Sequence, residues 1–268
     1  MMLLWQASRG DAPLIVSVPH AGRHLPDAIA LRMAPRAREL PDTDWHVDLL
    51  YDFVPSTGAT LVVATHSRYV IDLNRDPSGL ALYPGADNSE LCPTRTFANA
   101  PIYLPRETPD DAEIAARRAT FFDPYHAFLA AEIARLRERH GYAVLLDGHS
   151  IAAEVPRFFA GRLPDLNLGT SGGTTCDASL RTLAASLLAN APSFSHVVDG
   201  RFKGGYITRH FGAPGENVHA LQLEMVQACY LDEAHPATFD RDRANALSRV
   251  LERLVIALAE WRPQMGKR

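Results

Sequence analysis

Residues 143–150 read AVLLDGHS, an apolar run that passes directly into polar residues. A short apolar run of this kind, bounded by turn residues, is typical of a buried strand. A second run, LIVSV at 14–18, ends in Pro19 and His20. Ligands of open α/β sheets bind beyond the carboxyl ends of the strands. The two strand ends therefore predict His20 and His149 as ligands of one metal ion, with Asp147 or Ser150 orienting the ring of His149.

Outward from these two strands, short apolar runs alternate with helical patterns. This alternation predicts an α/β sheet with helices on its faces. Further strands are predicted at 60–64, 69–73, 196–199, 206–208 and 218–225. Helices are predicted at 45–53, 110–140, 177–190 and 240–261, with Pro124 as the site of a kink. Two stretches rich in Gly, Pro and Asn are predicted to be long loops, 77–105 and 162–175.

The bulk composition limits the class of protein. The chain has 268 residues, enough for one large α/β domain, and neither a linker nor an internal repeat divides it. We therefore expect a single domain over 1–268. The formal net charge is −4 and no basic run is present, which disfavours binding to nucleic acid or to an anionic membrane.

The sequence also carries three negative signals. No stretch approaches the roughly 18 consecutive apolar residues of a membrane span. Residues 1–10 lack the basic and apolar regions of a signal peptide, so a soluble cytoplasmic protein is expected. The three cysteines lie far apart and form no CxxC pair, which indicates neither a disulfide framework nor a thiolate zinc cage.

Carboxylates are concentrated at 41–48, which read PDTDWHVD. Asp42 or Thr43 suits a helix N-cap, and Asp44 would favour the first turn through the helix dipole. Asp44 and Asp48 are one helical turn apart, so both could face one site. Capping explains one or two of these acids but not all three. The local pattern leaves open which of them completes a metal site.

A second polar cluster occupies 66–76, with the sequence HSRYVIDLNRD. Arg75 offers a planar bidentate fork for a substrate carboxylate, and Asn74 supplies a neutral donor beside it. His66, which opens the cluster, is a further candidate near the site. His24 follows His20 by four residues, but the intervening Gly and the nearby Pro26 disfavour a helix, which makes it a weaker candidate ligand.

Glu224 lies in the apolar segment 218–225, VHALQLEM. A carboxylate among apolar neighbours needs a partner or a function, because burying a charge is costly. Burial also raises the pKa of a carboxylate towards the range of a general base. Glu224 is therefore a candidate catalytic residue.

The motifs PHAG, DTDWHVD, DLNR and DGHS, followed by a late strand with LE, resemble in their order the N-formylglutamate amidohydrolase family. The segments FKGGYITRHFG at 202–212 and HALQLE at 219–224 are also similar to that family. The resemblance covers about 14–231. It implies an enzyme of histidine degradation that hydrolyses N-formyl-L-glutamate, an acidic N-acyl amino acid, to formate and L-glutamate.

A more distant resemblance is to zinc carboxypeptidases and aspartoacylases. It implies a three-layer α/β/α fold with a mixed, mostly parallel central sheet, the zinc-exopeptidase-like or phosphorylase/hydrolase-like architecture. It also implies a divalent cofactor, zinc. Those relatives place a Glu three residues after the first His, where this chain has Arg23. Asp44 is the expected replacement, ahead of Asp48 and Asp42.

The resemblance implies one role for each candidate residue. His20, Asp44 and His149 hold the metal, Glu224 is the general base, and Arg68 stabilises the tetrahedral oxyanion. The substrate carries two carboxylates, and two arginines are candidates to bind them. Together with the donor beside them, the expected substrate-binding residues are Asn74, Arg75 and Arg209.

Three other functions stay open at the level of sequence. The first is hydrolysis of another N-acyl acidic amino acid. The second is a serine hydrolase, because GHSIA at 148–152 is one residue short of the nucleophile elbow and would make Ser150 the nucleophile. The third is a non-catalytic binding protein for acidic amino acids. Inhibition by a chelator indicates a metal-dependent hydrolase, whereas inhibition by a serine-directed fluorophosphonate indicates a serine hydrolase.

Overall fold

The computed structural model describes residues 2–82, 85 and 87–263. The described strands form one seven-stranded sheet. The strands are β1 Trp5–Ser8, β2 Leu14–Val18, β3 Thr60–Ala64, β4 Ala143–Ile151, β5 Leu166–Gly169, β6 His196–Val198 and β7 Val218–Val226. Their spatial order is β1-β3-β2-β4-β7-β5-β6.

The sheet is mixed, with a parallel centre. Strands β3, β2, β4 and β7 run parallel to one another. At one side β1 pairs antiparallel with β3, and at the other β5 pairs antiparallel with β7 and parallel with β6. The mixed, mostly parallel sheet predicted from the sequence is confirmed.

Seven α-helices connect these strands in the described residues. They are α1 Asp27–Ala30, α2 Val47–Leu50, α3 Asp111–Arg117, α4 Asp123–His140, α5 Ala178–Ala189, α6 Tyr206–Phe211 and α7 Arg241–Glu260. A π-helical turn, Arg118–Phe122, joins α3 to α4. Every helix is too short or too polar to cross a membrane, as far as the described residues go.

Helices cover both faces of the sheet, which gives three layers. Successive strand side chains point to opposite faces. Leu14 and Val16 therefore pack in the core beneath α5 and α7, whereas Ile15 packs in the core beneath α4. In β4, Leu146 packs in the core beneath α5 and α7, and Leu145 packs in the core beneath α4. The central strands are buried on both sides, which is why their sequences are continuous apolar runs.

The strand order determines where on the sheet a ligand site can form. The connection after β2 leads to β3 on one side of the sheet, whereas the connection after β4 leads past β7 to β5 on the other side. A crevice opens where connections diverge in this way, beyond the carboxyl ends of the strands. His20 follows β2 at this point, and His149 lies near the end of β4. In the adjacent strand β7, Glu224 is paired in register with His149.

Two predicted strands are wrong. Residues 69–73 form a turn, because the Asp72 carboxylate accepts a hydrogen bond from the backbone N–H of Asn74 at 2.9 Å and holds the chain in a bend. Residues 206–208 begin helix α6, whose first turn is capped from outside: the backbone N–H of Ile207 donates to the Asn74 side-chain oxygen at 2.8 Å. Both corrections trace to Asn74 and its neighbours.

Other boundaries differ in detail. The predicted helix 45–53 contains only the short helix α2, and a 3-10 turn, Val54–Thr57, follows the predicted range. The helical stretch 110–140 is interrupted by the π-turn immediately before Pro124, which has no backbone N–H to donate within a regular helix. Strand β5 lies within the predicted loop 162–175, and β1 was not predicted. The described part of 77–105 holds no helix and only isolated bridge pairs, while positions 83, 84 and 86 lie outside the described residues.

Candidate functional site

Two imidazoles and one carboxylate converge at the end of the parallel strands. His20, Asp44 and His149 are 2%, 1% and 3% exposed. Each offers one ligand atom, and these atoms all lie within 4.8 Å of one another. Asp44 Oδ2 lies 3.0 Å from His149 Nδ1 and 3.7 Å from His20 Nδ1. The backbone N–H of Ser150 donates to the same oxygen at 3.1 Å and fixes it in place.

A second carboxylate stands behind each imidazole. His20 Nε2 lies 2.8 Å from Asp72 Oδ1, and His149 Nε2 lies 2.8 Å from Asp147 Oδ2. Both carboxylates are fully buried. A carboxylate that accepts the outer N–H of a histidine fixes the ring and its tautomer. The inner Nδ1 atoms are thereby directed towards Asp44. Of the two residues predicted to orient His149, Asp147 contacts its ring, whereas the backbone N–H of Ser150 contacts Asp44.

Arg68 balances part of this negative charge. Its guanidinium donates to Asp72 Oδ2 at 2.8 Å and to Asp44 Oδ1 at 3.2 Å. Burial opposes the charged form of Arg68, but the two carboxylates outweigh it and raise the pKa of the guanidinium. Arg68 is therefore held as a cation between Asp72 and Asp44.

The two histidines differ in their protonation. Burial and the charge of Arg68 lower the pKa of His20, despite Asp72. Burial would also lower the pKa of His149, but Asp147 and the hydrogen bond to Asp44 raise it well above its ordinary value. The carboxylate of Asp72 can only accept, so neutral His20 carries its proton on Nε2. The lone pair of His20 Nδ1 is then buried, and no described residue forms a hydrogen bond with it.

Glu224 faces the same space from β7. It is 7% exposed, and the side-chain amide of Gln222 donates to its Oε2 at 3.2 Å. Burial raises the pKa of Glu224 to about 8, with the charge of His149 opposing the rise. The expectation that Glu224 is a buried carboxylate with a raised pKa is confirmed.

A cavity of about 50 Å³ opens onto these groups. We call it the first cavity. The residues that line it from the cluster side are His20, Arg68, Asn74, His149, Ser150, Gln222 and Glu224. The residues that line it from the surrounding segments are Arg75, Leu82, Asp87, Asn88, Ser89, Phe97, Ile151, Phe158, Arg201, Phe202 and Gly205. Arginines thus border the space that the buried carboxylates and imidazoles enclose.

Asn74 lies in the first cavity but is engaged by the protein. Its amide nitrogen donates to Asp147 Oδ2 at 3.1 Å, and its oxygen accepts from the backbone of α6. The chain approaches it so closely that a Cβ at Gly205 would lie 2.3 Å from its Nδ2. Asn74 therefore positions Asp147 and α6.

Arg75 and Arg209 are placed differently. Arg75 lines the first cavity, and its Nε donates to Ser89 Oγ at 2.9 Å. Arg209 is not one of the described residues that line the cavity. Its Nε donates to the Gly204 carbonyl at 2.9 Å and its Nη1 to the Leu82 carbonyl at 3.1 Å. Arg209 thus supports segments that carry cavity residues.

The weaker ligand candidates lie outside the cluster. The rings of His24 and His66 contact each other with centroids 4.8 Å apart, and neither residue lines the first cavity among the described residues. Asp44 precedes α2, whereas Asp48 lies within it. The two acids are therefore not one helical turn apart, and the structure brings Asp44 to both histidines.

Ser150 has neighbours that do not suit a nucleophile. Its hydroxyl is contacted by the Tyr230 hydroxyl at 2.7 Å and by the Gln227 amide at 3.3 Å. Activation of a serine requires a base within hydrogen-bond reach. Burial raises the pKa of Tyr230 well above its ordinary value, which makes it unfit as a base at neutral pH.

Sequence reasoning did not single out four residues that the fold brings to the site. They are Asp72, Phe97, Arg201 and Gln222. Gln222 had a signal in the sequence, because it lies two residues before Glu224 in a strand and so shares its face. The other three come from loops and turns, which have no periodicity to assign them a direction.

The sheet, the cavity and the buried polar cluster define the class of protein. A cavity lined by a few converging polar groups, one of them with a raised pKa, at the switch point of an α/β sheet is typical of an enzyme active site. The model of the N-formylglutamate amidohydrolase family matches residues 12–231, and the chain belongs to that family. It is therefore an enzyme of the class that hydrolyses amides.

Relatives agree over nearly the whole chain. The chain is 44% identical over 253 residues to an N-formylglutamate deformylase of Pseudomonas putida, a match that covers 94% of each chain. An N-formylglutamate deformylase of Pseudomonas aeruginosa is also 44% identical, over 94% of this chain and 95% of that protein. The crystal structure of an N-formylglutamate amidohydrolase from Ralstonia eutropha JMP134 has a TM-score of 0.80 at 28% identity and covers 97% of this chain and 98% of that one.

We expect Asp72→Asn to destabilise the fold, because it removes the negative partner of Arg68 and His20. Loss of one partner from a buried ion pair costs about 3–5 kcal/mol. Urea unfolding at pH 7 with chelator present measures the loss, and Asp52→Asn, at an exposed carboxylate, is the control expected to change the free energy of unfolding by less than about 0.5 kcal/mol.

The difference in the free energy of unfolding between wild type and Asp72→Asn should also depend on pH. Burial would raise the pKa of Asp72, but Arg75, His20 and Arg68 lower it well below the ordinary value of 3.8. Its contribution is therefore complete above that value and is lost as the pH falls towards the folded-state pKa. The difference between wild type and Asp72→Asn should shrink below about pH 4. A difference that grows on acidification contradicts the assignment.

Proposed function

We propose that the chain is a metal-dependent hydrolase of N-formyl-L-glutamate, which it converts to formate and L-glutamate. The observation that carries the metal dependence is the pair of facing acceptors, His20 Nδ1 and Asp44 Oδ2. They lie 3.7 Å apart in a buried space, and His20 Nδ1 has no hydrogen-bond partner in the part of the chain that the structure describes. The lone pair of His20 Nδ1 and the Asp44 carboxylate repel each other, and a cation bound by both atoms would stabilise this arrangement.

The donor set fits zinc. Two neutral imidazoles and one carboxylate are the ligands of several catalytic zinc sites, which hold the ion through three protein groups and leave one position open. His20, Asp44 and His149 provide this set, and Asp72 and Asp147 provide the outer hydrogen bonds that such histidines make. Binding replaces the proton that His149 otherwise carries on Nδ1, so affinity falls at low pH.

When bound, zinc would polarise the formyl oxygen and lower the pKa of a water molecule to about 7. Glu224 lines the cavity beside these ligands, where it accepts a proton from the attacking water and delivers it to the leaving nitrogen. The amide of Gln222 holds one oxygen of Glu224. The positive charge of Arg68 stabilises the oxyanion of the tetrahedral intermediate.

The substrate has two carboxylates, and two cavity arginines are positioned to bind them. Arg75 is held by Ser89, and Arg201 is held by the Phe158 carbonyl, to which its Nε donates at 2.8 Å. Both line the first cavity. Their planar guanidinium groups match the geometry of a carboxylate. Arg201 takes the role that the sequence suggested for Arg209, which supports Leu82 instead. The names of the 44% identical relatives support N-formylglutamate as the substrate.

We expect about one divalent ion per chain, and loss of it in His20→Ala, His149→Ala and Asp44→Asn. Each change removes one of three ligands, so affinity falls in all three. Elemental analysis after dialysis measures the content, with circular dichroism to confirm folding. His24→Ala and Asp48→Asn are matched controls outside the cluster and should retain the ion. Full occupancy in the first set, or equal loss in the controls, contradicts this site.

For Glu224→Gln we expect kcat on N-formyl-L-glutamate to fall by about two to four decades, because the amide keeps the size of the side chain but cannot accept the proton. Metal content and substrate affinity should stay near those of wild type. Glu216→Gln, at an exposed glutamate, is the control. A variant that loses metal together with activity would make Glu224 a ligand, and one with undiminished kcat would remove it from the mechanism.

Arg75→Lys and Arg201→Lys should each lower kcat/KM for N-formyl-L-glutamate by about one to two decades, because a charge-assisted hydrogen bond is worth about 1.5–3 kcal/mol. One of the two losses should shrink on N-formyl-L-leucine, which lacks the second carboxylate. Metal content should not change. Arg209→Lys is the matched comparison and should have the smallest effect. Equal losses on both substrates for both variants would make these arginines structural.

A further inference from the structure

A second cavity of about 230 Å³ adjoins the first. Among the described residues, Phe97, Ser150 and Ile151 line both spaces. The other residues that line the second cavity are mainly small or apolar, such as Ala152, Val155 and Pro156. The proposed reaction uses only the first.

Phe97 is held as a partition between the two cavities. Its backbone N–H donates to Asp42 Oδ2 at 2.8 Å, an oxygen that also accepts from the Tyr69 hydroxyl at 2.6 Å. Its ring meets the Phe158 ring edge-on, with centroids 5.0 Å apart and an interplanar angle of 71°. The backbone and the ring are therefore both fixed.

The partition stands beside the cluster. The guanidinium carbon of Arg68 lies 4.8 Å from the centroid of the Phe97 ring, and the same guanidinium contacts Asp44 and Asp72. One side chain thus separates the ring from the proposed metal ligands. Ser150, the second shared residue, donates its backbone N–H to Asp44. The wall between the cavities is consequently a wall of the reaction site.

We propose that Phe97 sets the size of the acyl group that the enzyme accepts, by closing the second cavity to the substrate. This inference rests on the proposed function. The acyl carbon of the substrate would lie at the cluster, and the wall shared by the two cavities stands beside it. The Phe97 ring contacts Arg68, whose guanidinium binds Asp44, and Ser150 donates its backbone N–H to the same carboxylate. A formyl hydrogen fits against this wall, whereas a methyl or ethyl group meets the ring.

The test compares kcat/KM for N-formyl-, N-acetyl- and N-propionyl-L-glutamate in wild type, Phe97→Leu and Phe97→Ala. Removal of the ring joins the cavities, so the absolute rates on the acetyl and propionyl substrates should rise. Selectivity for one methylene group is about 10- to 200-fold, and the formyl-to-acetyl ratio should fall by this factor in Phe97→Ala. Phe97→Leu should lie between the two. A structural defect would lower all rates and would not raise any.

Val155→Ala is the matched control, because Val155 lines the second cavity and, among the described residues, is not part of the first. Its formyl-to-acetyl ratio should stay near that of wild type. An unchanged ratio in Phe97→Ala, or an equal shift in Val155→Ala, overturns the proposal. If Phe97→Ala does not fold, Phe97→Leu decides. A folded Phe97→Leu with neither activity would assign the ring to positioning Arg68 and would also overturn it. Wild type that does not hydrolyse N-formyl-L-glutamate contradicts the proposed function itself, a separate result.

Discussion

The contacts of Asp44 Oδ2 are the constraint on which the site depends. This single oxygen accepts the backbone N–H of Ser150 and lies 3.0 Å from His149 Nδ1 and 3.7 Å from His20 Nδ1. It therefore ties the segment before α2 to the ends of β2 and β4. A buried carboxylate in such a place is stable only with compensating positive charge. Arg68 supplies part of that charge, and the proposed metal ion would supply the rest beside His20 Nδ1, which has no hydrogen-bond partner among the described residues.

One turn of the chain holds several of the residues that contact this cluster. The turn that contains Asp72 and Asn74 carries both the outer partner of His20 and the amide that holds Asp147. The same turn caps α6 through the Asn74 oxygen. Within this turn the Asp72 carboxylate also accepts the backbone N–H of Asn74, which keeps the two residues close together.

The site joins two kinds of environment in a small volume. At the cluster end, carboxylates and imidazoles are buried together, and burial raises the pKa of Glu224. Arg75 and Arg201, which also line the cavity, make it attractive to anions. A small dianionic amide, the proposed substrate, would suit this combination. If Phe97 acts as proposed, size and charge would be selected by different walls of one cavity.

The sequence by itself determined the α/β class, the buried central strands and the polar residues at their ends. These are local properties: a strand buried on both faces must be an apolar run, and its side chains alternate with a period of two residues. His20, His149 and Glu224 were therefore identifiable from position alone. The order of the motifs also identified the family, which the family model confirms. The single-domain organisation and the likeness to zinc exopeptidases stay predictions.

Only the tertiary structure decided the partners of those residues. The choice between Asp44 and Asp48 depended on where α2 begins, and the pattern of acids could not locate that boundary because capping and dipole preferences suit several registers. Asp72, Phe97 and Arg201 reach the cavity from turns and loops, whose side-chain directions follow from long-range contacts. Arg209, among the described residues, does not line the first cavity, for a related reason: it lies on α6, a helix whose first turn is capped by Asn74 from far away in the sequence.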